Sequence, residues 1–110
     1  MIHCNKRDVI LIRFRKIKKR PALVISSTWY NNVRSNLIVL PISSKVPNPL
    51  GRDDYVLSKD DIHAGGLLKD SVVKLGKVMT LKKGFVVSVL GHLPESTFNT
   101  IIRKLYDVIG

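Results

Sequence analysis

Lys19–Ser26, with the sequence KRPALVIS, sets the organisation of the chain. The segment begins with two cations, passes through a proline and continues as an aliphatic run ending at a serine. This pattern predicts a strand over Ala22–Ser26 that is opened by Pro21. A proline is tolerated at that place because the first residue of a strand need not donate a hydrogen bond to its neighbour.

Runs of similar composition flank this segment on both sides. Asp8–Phe14 is rich in β-branched residues and predicts a buried strand. After a polar connection over Asn31–Asn36, Leu37–Ile42 predicts a third strand, and Pro41 within it indicates an edge, a bulge or a strand end. Shorter strands are expected further along, at Tyr55–Leu57, Ser71–Leu75 and Phe85–Leu90.

The last segment has helical periodicity. Its apolar residues recur at i, i+3, i+4 and i+7, which predicts an amphipathic helix with an apolar face of Phe98, Ile101, Ile102, Leu105, Val108 and Ile109. Pro94 and Glu95 suit the first turn, and Gly110 ends the helix. The fold class expected is therefore mainly β with a C-terminal α-helix, arranged as a small barrel-like domain.

The length and composition limit the class of protein. With 110 residues, 45% of them hydrophobic and 25% charged, the chain fits a single globular domain over residues 1–110. No apolar run reaches the length of a membrane helix, and the N-terminus lacks the apolar core of a signal peptide. The single cysteine, Cys4, fits a reducing compartment. We expect a cytoplasmic protein that does not bind membranes.

The charge is strongly positive and unevenly distributed. The net charge is +11, and residues 1–52 carry +10 of it, from eleven Lys or Arg and one acid, Asp8. The densest stretch is Arg13–Arg20, with six basic residues in eight. Such a cluster indicates an anionic partner, most often a nucleic acid. A solvated basic loop, or a patch that an acidic protein neutralises, is the alternative.

Several kinds of chemistry have little support in the sequence. His3 and Cys4 are adjacent but lack a second ligand pair for zinc, and the pairs Asp53–Asp54 and Asp60–Asp61 lie beside turns, where aspartate more often caps than binds Mg²⁺. The chain has no phosphate-binding glycine loop and no nucleophile elbow. We therefore expect no cofactor and no metal.

A basic protein without a metal can still cleave RNA, because the 2′-hydroxyl of RNA is itself a nucleophile. The protein then has to position the backbone, stabilise the phosphorane charge and move two protons. Arg20, and Ser43 with Ser44, have suitable side chains for the charge. Surface solvation and turn capping are the ordinary roles of such residues.

An ordered set of segments extends over nearly the whole chain: Asp8–Ile12, Lys19–Ser26, Leu37–Ser44, Gly66–Lys74, Thr80–Leu81 and the closing helix. Together these segments resemble the PemK/MazF family of toxins. The resemblance implies a small SH3-like barrel (PemK/MazF/CcdB-like) with a C-terminal helix that forms a homodimer. It also implies a metal-independent endoribonuclease of a type II toxin–antitoxin system, which cleaves single-stranded RNA to a 2′,3′-cyclic phosphate and a 5′-hydroxyl. A cognate antitoxin protein, acidic and partly disordered, would block the site.

The resemblance also implies roles for individual residues. Arg20 matches the arginine that stabilises the phosphate in the transition state, and Ser43 matches a threonine whose hydroxyl it keeps. Ser44 matches a backbone contact, and Lys18, Lys19 and Lys74 are expected to bind RNA.

The chain departs from the family pattern in places that bear on its function. Arg7 replaces a glycine, and Gly76 replaces an aspartate that some members carry, so the resemblance assigns no general base. A non-catalytic barrel that inhibits a protein, like the relative that poisons DNA gyrase, is the alternative function, and a housekeeping nucleic-acid-binding protein is a third.

Overall fold

A computed structural model describes residues 2–13 and 15–110 of the chain. Those residues form seven strands, three α-helices and one 3₁₀ turn, with the first two helices and the 3₁₀ turn between strands and the third helix at the end. The elements are β1 (Asp8–Arg13), β2 (Lys19–Val24), α1 (Thr28–Val33), β3 (Asn36–Ser43), β4 (Asp54–Val56), α2 (Lys59–Ala64), β5 (Val72–Lys74), β6 (Met79–Lys82), the 3₁₀ turn (Lys83–Phe85), β7 (Val86–His92) and α3 (Glu95–Ile109).

The strands form one antiparallel sheet in the order β4-β5-β3-β2-β1-β7. The long strand β3 has two partners on one side, β6 along its first half and β5 along its second half. No pairing within the described part of the chain joins β4 to β7, so the sheet is open. The expectation of a mainly β fold with a C-terminal helix is confirmed, and the description as a barrel is loose because the sheet does not close.

Both faces of the central strands are buried, because alternate side chains contribute to two separate clusters. In β3, for example, Leu40 and Ile42 point to one cluster, whereas Leu37 and Val39 point to the other. Three residues of α3 complete the first cluster: Phe98, Ile101 and Leu105. The prediction that β1 is a buried strand is confirmed over Asp8–Arg13, and Phe14, the last residue of the predicted strand, lies outside the described residues.

Helix α3 agrees with the predicted helix, and Pro94 stands at its N-cap. At the other end the amide of Gly110 donates to the carbonyl of Tyr106 at 2.7 Å. The predicted apolar face is too long, however, because Val108 and Ile109 are 40% and 69% exposed. These two residues lie beyond the edge of the cluster that α3 covers.

The sequence did not predict three short elements, which are α1, α2 and β6. Part of α1 lies in the segment expected to be a polar connection. Both helices have six residues, fewer than two turns, and each begins with a serine that accepts a hydrogen bond from a backbone amide. Capping of this kind leaves no periodic pattern in the sequence.

The two strand prolines lie where a backbone donor is not needed. Pro21 is inside β2 instead of opening it, because β2 begins at Lys19 and its ladder with β3 begins only at Ala22. Pro41 lies in β3 between Val39, the last residue paired with β6, and Ile42, the first paired with β5. Of the edge, bulge or strand end predicted at Pro41, the structure shows a local edge, because Pro41 is paired with Ala22 on one side and with neither β5 nor β6 on the other, while β3 continues to Ser43.

None of the helices in the described ranges has the length and apolar character needed to cross a bilayer.

Candidate functional site

Two clefts share three lining residues, Arg20, Pro21 and Ile42, which are here called the ridge between the clefts. The first, here called the Ser43 cleft, has a volume of about 360 Å³ and is also lined by Ile12, Pro41, Ser43, Lys74, Lys77 and Met79. The second, the Ser44 cleft, has a volume of about 470 Å³ and is also lined by Leu11, Lys19, Ser44, Gly66, Leu67, Leu68, Lys69, Ser71 and Leu90. Pro41, which is paired with neither β5 nor β6, lines the Ser43 cleft, so this cleft lies at the place where β3 changes partner.

Among the three residues that line both clefts, Arg20 is the one with a long charged side chain. It lies in β2 opposite Ile12 of β1 and is exposed. A guanidinium remains protonated at any physiological pH and donates two parallel hydrogen bonds to a phosphate. Its position lets one positive group serve a ligand that crosses the ridge from one cleft into the other.

Ser43 is half-buried at the end of β3, and a hydrogen bond holds its hydroxyl oxygen in place. The amide of Lys45 donates to the Ser43 Oγ at 3.1 Å, which is a local turn typical of serine. This bond uses the oxygen and not the hydroxyl proton, so the hydroxyl can still donate to a further acceptor. A phosphate oxygen in the Ser43 cleft would be such an acceptor.

The structure brings five of the six predicted site residues to these clefts. Arg20, Ser43 and Lys74 share the Ser43 cleft, and Arg20, Lys19 and Ser44 share the Ser44 cleft. Lys18 lines neither cleft and lies exposed in the β1–β2 loop. Any effect of Lys18 on a ligand in the clefts would therefore act through its charge at longer range.

Lys74 is not a free cation, because its ammonium donates to the Asp54 carboxylate at 2.7 Å. This hydrogen bond, together with one from the amide of Gly51, lowers the pKa of Asp54 below the ordinary value of an aspartate. Asp54 is therefore ionised at neutral pH and accepts protons poorly. The pair sets the position of Lys74 at the edge of the Ser43 cleft.

One wall of the Ser44 cleft contains Leu67 and Leu68, neither of which was predicted as a site residue. The Leu68 side chain is 97% exposed. Gly66 and Gly91 place this wall, since a methyl group on either would clash with the backbone of Leu90 or of Ala64 and Gly65. The signal that could have identified the wall is a pair of leucines following two glycines in a segment without strand or helix periodicity.

Proton-transfer groups are not prominent near the ridge. Neither cleft is lined by an Asp, Glu or His among the described residues. Nor do those residues contain a group of three or more His, Cys, Asp or Glu that could hold a metal ion. Burial raises the pKa of the Cys4 thiol, so this cysteine is protonated at neutral pH.

Comparison with known proteins adds a family and a fold. A family model described as the PemK-like, MazF-like toxin of type II toxin–antitoxin systems matches residues 5–109. No curated protein matches the sequence significantly.

Among solved structures, a mycobacterial endoribonuclease in complex with its cognate antitoxin has a TM-score of 0.79 at 18% identity, covering 100% of this chain and 96% of that one. MazF from a MazE–MazF complex of Deinococcus radiodurans has a TM-score of 0.82 at 20% identity, covering 100% and 98%. The Mycobacterium tuberculosis toxin MazF-mt6 has a TM-score of 0.78 at 19% identity, covering 94% and 96%. At these identities the likeness establishes the fold.

Proposed function

Because the chain belongs to the family of PemK-like and MazF-like toxins of type II toxin–antitoxin systems, we propose that it is a metal-independent endoribonuclease that cleaves single-stranded RNA, including mRNA, at short sequences. The observation that carries the proposal is the position of Arg20 on the ridge, with Ser43 in one cleft and Ser44 in the other. An extended RNA strand laid across the ridge would place one phosphate at the arginine and its neighbours in the two clefts.

The proposed reaction uses the RNA's own nucleophile. The 2′-oxygen forms a bond to the adjacent phosphorus as its proton leaves, and the bond from phosphorus to the 5′-oxygen breaks as that oxygen takes up a proton. The products are a 2′,3′-cyclic phosphate and a 5′-hydroxyl. Arg20 would stabilise the additional negative charge on the phosphorane, and the Ser43 hydroxyl would donate to a non-bridging oxygen of the same phosphate.

The remaining cations and Ser44 have supporting roles in this proposal. Lys19 and Ser44 would contact the backbone in the Ser44 cleft, and Lys74 would do so in the Ser43 cleft while it remains paired with Asp54. Lys18 would attract the RNA through its charge alone. DNA would not be cleaved, because it lacks the 2′-hydroxyl.

We further propose that residues 1–110 act as a single toxin domain, as a homodimer, and that a cognate antitoxin protein inhibits it. Two of the solved structures to which the chain is similar are complexes of a toxin or endoribonuclease with an antitoxin. The net charge of +10 on residues 1–52 would suit an acidic inhibitor that competes with RNA. Since its substrate is mRNA, we place the protein in the cytoplasm.

The absence of Asp, Glu and His from the linings of both clefts, as far as the structure describes them, favours a second function. A site without a proton-transfer group would bind RNA or a protein target without cleaving anything. Such a non-catalytic module would have the same fold and the same basic surface.

One experiment distinguishes the two functions. The purified protein, free of antitoxin, is incubated with a long single-stranded RNA in EDTA beside the Arg20→Ala variant, and the ends of the products are identified. We expect discrete fragments with cyclic-phosphate ends from the wild type and none from the variant. Intact RNA with a folded wild-type protein would overturn the proposal and support the non-catalytic module.

A further inference from the structure

Trp29, the one tryptophan of the chain, is 61% exposed on α1. The rings of Trp29 and Tyr30 are 6.1 Å apart and tilted by 39°, and the Arg34 guanidinium carbon lies 5.7 Å from the centre of the Trp29 ring. An indole ring in this position buries little area in the core, although tryptophan is usually a well-buried residue. The exposed ring is therefore available to a ligand.

The exposure of Trp29 does not arise from a loose helix. Asn31, two residues later, is buried and holds α1 against the body of the protein through two hydrogen bonds with Ser26, one of them from the Asn31 amide to the Ser26 carbonyl at 3.0 Å. The Ser27 hydroxyl accepts from the amide of Tyr30 at 3.1 Å at the beginning of the helix. The helix backbone that carries Trp29 is therefore already ordered, so binding a ligand does not require the backbone to become ordered.

The surroundings of α1 are positive. The amide of Lys83 donates to the carbonyl of Ser35 at 3.0 Å, and Lys82 is paired with Asn36 in the sheet, so both lysines lie next to the end of α1. No acidic residue occurs at positions 9–52 or 71–94, which contain α1, β6 and the 3₁₀ turn after it. We call the group Trp29, Tyr30, Arg34, Lys82 and Lys83 the α1 platform.

An exposed aromatic ring with neighbouring cations fits a single-stranded nucleic acid, because bases stack on the ring while phosphates contact the cations. A duplex would not present the face of a base to Trp29. We propose that the α1 platform is a second contact site for single-stranded RNA, at which a base stacks on Trp29. The inference takes its ligand from the function proposed above and adds a site away from the two clefts.

The position of the α1 platform determines which part of the RNA it would bind. β3 begins next to the platform at Asn36 and ends at Ser43, and seven steps of about 3.3 Å give a separation of roughly 23 Å between its ends. An RNA that occupies the clefts would reach Trp29 only through nucleotides that flank the cleaved bond. The platform would therefore strengthen the binding of long RNAs and leave the chemical step unchanged.

The test uses a single-stranded RNA of about 20 nucleotides, which is long enough to occupy more than one contact site. Its 2′-hydroxyl groups are methylated, so it cannot be cleaved. Because Trp29 is the single tryptophan, the intrinsic fluorescence of the wild-type chain reports on its ring alone. We expect saturating RNA to quench this fluorescence. We also expect Trp29→Ala to raise the Kd, measured with labelled RNA, by about fivefold or more, and Trp29→Phe to raise it less.

Tyr106→Ala is the matched control, because Tyr106 is an aromatic residue of α3 that is 70% exposed. It should leave the Kd unchanged. Unaltered fluorescence at saturating RNA, or equal Kd values for the wild type and Trp29→Ala, would overturn the inference. If the wild type and Trp29→Ala both cleave unmodified RNA, the proposed ribonuclease function stands and only the inference about the α1 platform fails.

Discussion

At the scale of single residues, Ser43 offers the sharpest test of the proposed chemistry. Its oxygen is held by the amide of Lys45, so the proton is the part available to a phosphate. A hydrogen bond to a charged group is worth about 1.5–3 kcal/mol, and we expect Ser43→Ala to lower kcat roughly 10- to 150-fold. Ser43→Thr keeps the hydroxyl and should retain most of the activity.

The control for this series is Ser35→Ala, which removes an exposed serine outside both clefts. Cleavage rates would be measured with a long single-stranded RNA at saturating concentration. If Ser43→Ala were as active as the wild type, the hydroxyl would have no part in the reaction.

The pair of Lys74 and Asp54 leads to a prediction about pH. Because the pKa of Asp54 is lowered in the folded protein, the pair stabilises the fold above the ordinary pKa of an aspartate, about 4, and this contribution is lost as the pH falls through the lower, folded value. We expect the free energy of unfolding of the wild type to fall more steeply with acid than that of Asp54→Asn. Urea unfolding over a series of acidic pH values measures the difference, and parallel curves would contradict it.

The candidate site was only partly predictable from the sequence. Arg20, Ser43 and Ser44 could be named because they stand in an ordered pattern that resembles a family, and Lys19 and Lys74 are end residues of two segments of that pattern. The pairing of Lys74 with Asp54 joins residues 20 positions apart and depends on the register of β4 and β5. No local pattern encodes such a contact, so the prediction that Lys74 binds RNA did not include its pairing with Asp54.

At the scale of elements, the contact between the end of α2 and β7 places one wall of the Ser44 cleft. Gly66 has a φ of +69°, and both Gly66 and Gly91 lie where a Cβ would meet backbone atoms. Backbone atoms cannot move aside as a flexible side chain can, so we expect Gly91→Ala and Gly66→Ala each to destabilise the fold by about 1–3 kcal/mol or more.

Gly84→Ala provides the matched control, since a Cβ at Gly84 would have no atom within 4 Å. Urea denaturation would measure all three variants. A Gly91→Ala protein as stable as Gly84→Ala would show that the contact tolerates a methyl group and does not hold the wall in place.

The elements themselves were predictable where they coincide with an apolar run or a helical period, and this includes β4 and β5, which have only three residues each. Helix α3 buries side chains at a helical period over several turns, and β3 is a long apolar run with side chains buried on both faces; both were found from the sequence. By contrast, α1, α2 and β6 have four to six residues and owe their conformation to capping serines and to the edge of β3. Such short elements are specified by tertiary contacts, which a single sequence does not display.

At the scale of the whole molecule, the charge follows the sheet. Residues 1–52, with a net charge of +10, supply the adjacent strands β1, β2 and β3 together with α1, whereas the later residues carry +1. The clefts and the α1 platform both lie along these strands. An anionic strand is therefore attracted to one region of the surface, over which the two proposed contact sites are distributed.

This distribution predicts how RNA binding depends on salt. Each neutralised phosphate of a single strand contributes about 0.7 to the slope of log Kd against log salt concentration. Lys16 and Lys18 are exposed in the β1–β2 loop, and replacing both by Gln should reduce the slope by up to about 1.4. Lys18 lines neither cleft, so the loss should appear in the slope and leave the cleavage rate at saturating RNA unchanged.

The matched double variant, Lys59→Gln with Lys104→Gln, removes the same charge from the nearly neutral part of the chain and should preserve the slope. Equal slopes for the two double variants would show that net charge, and not its position, governs the attraction.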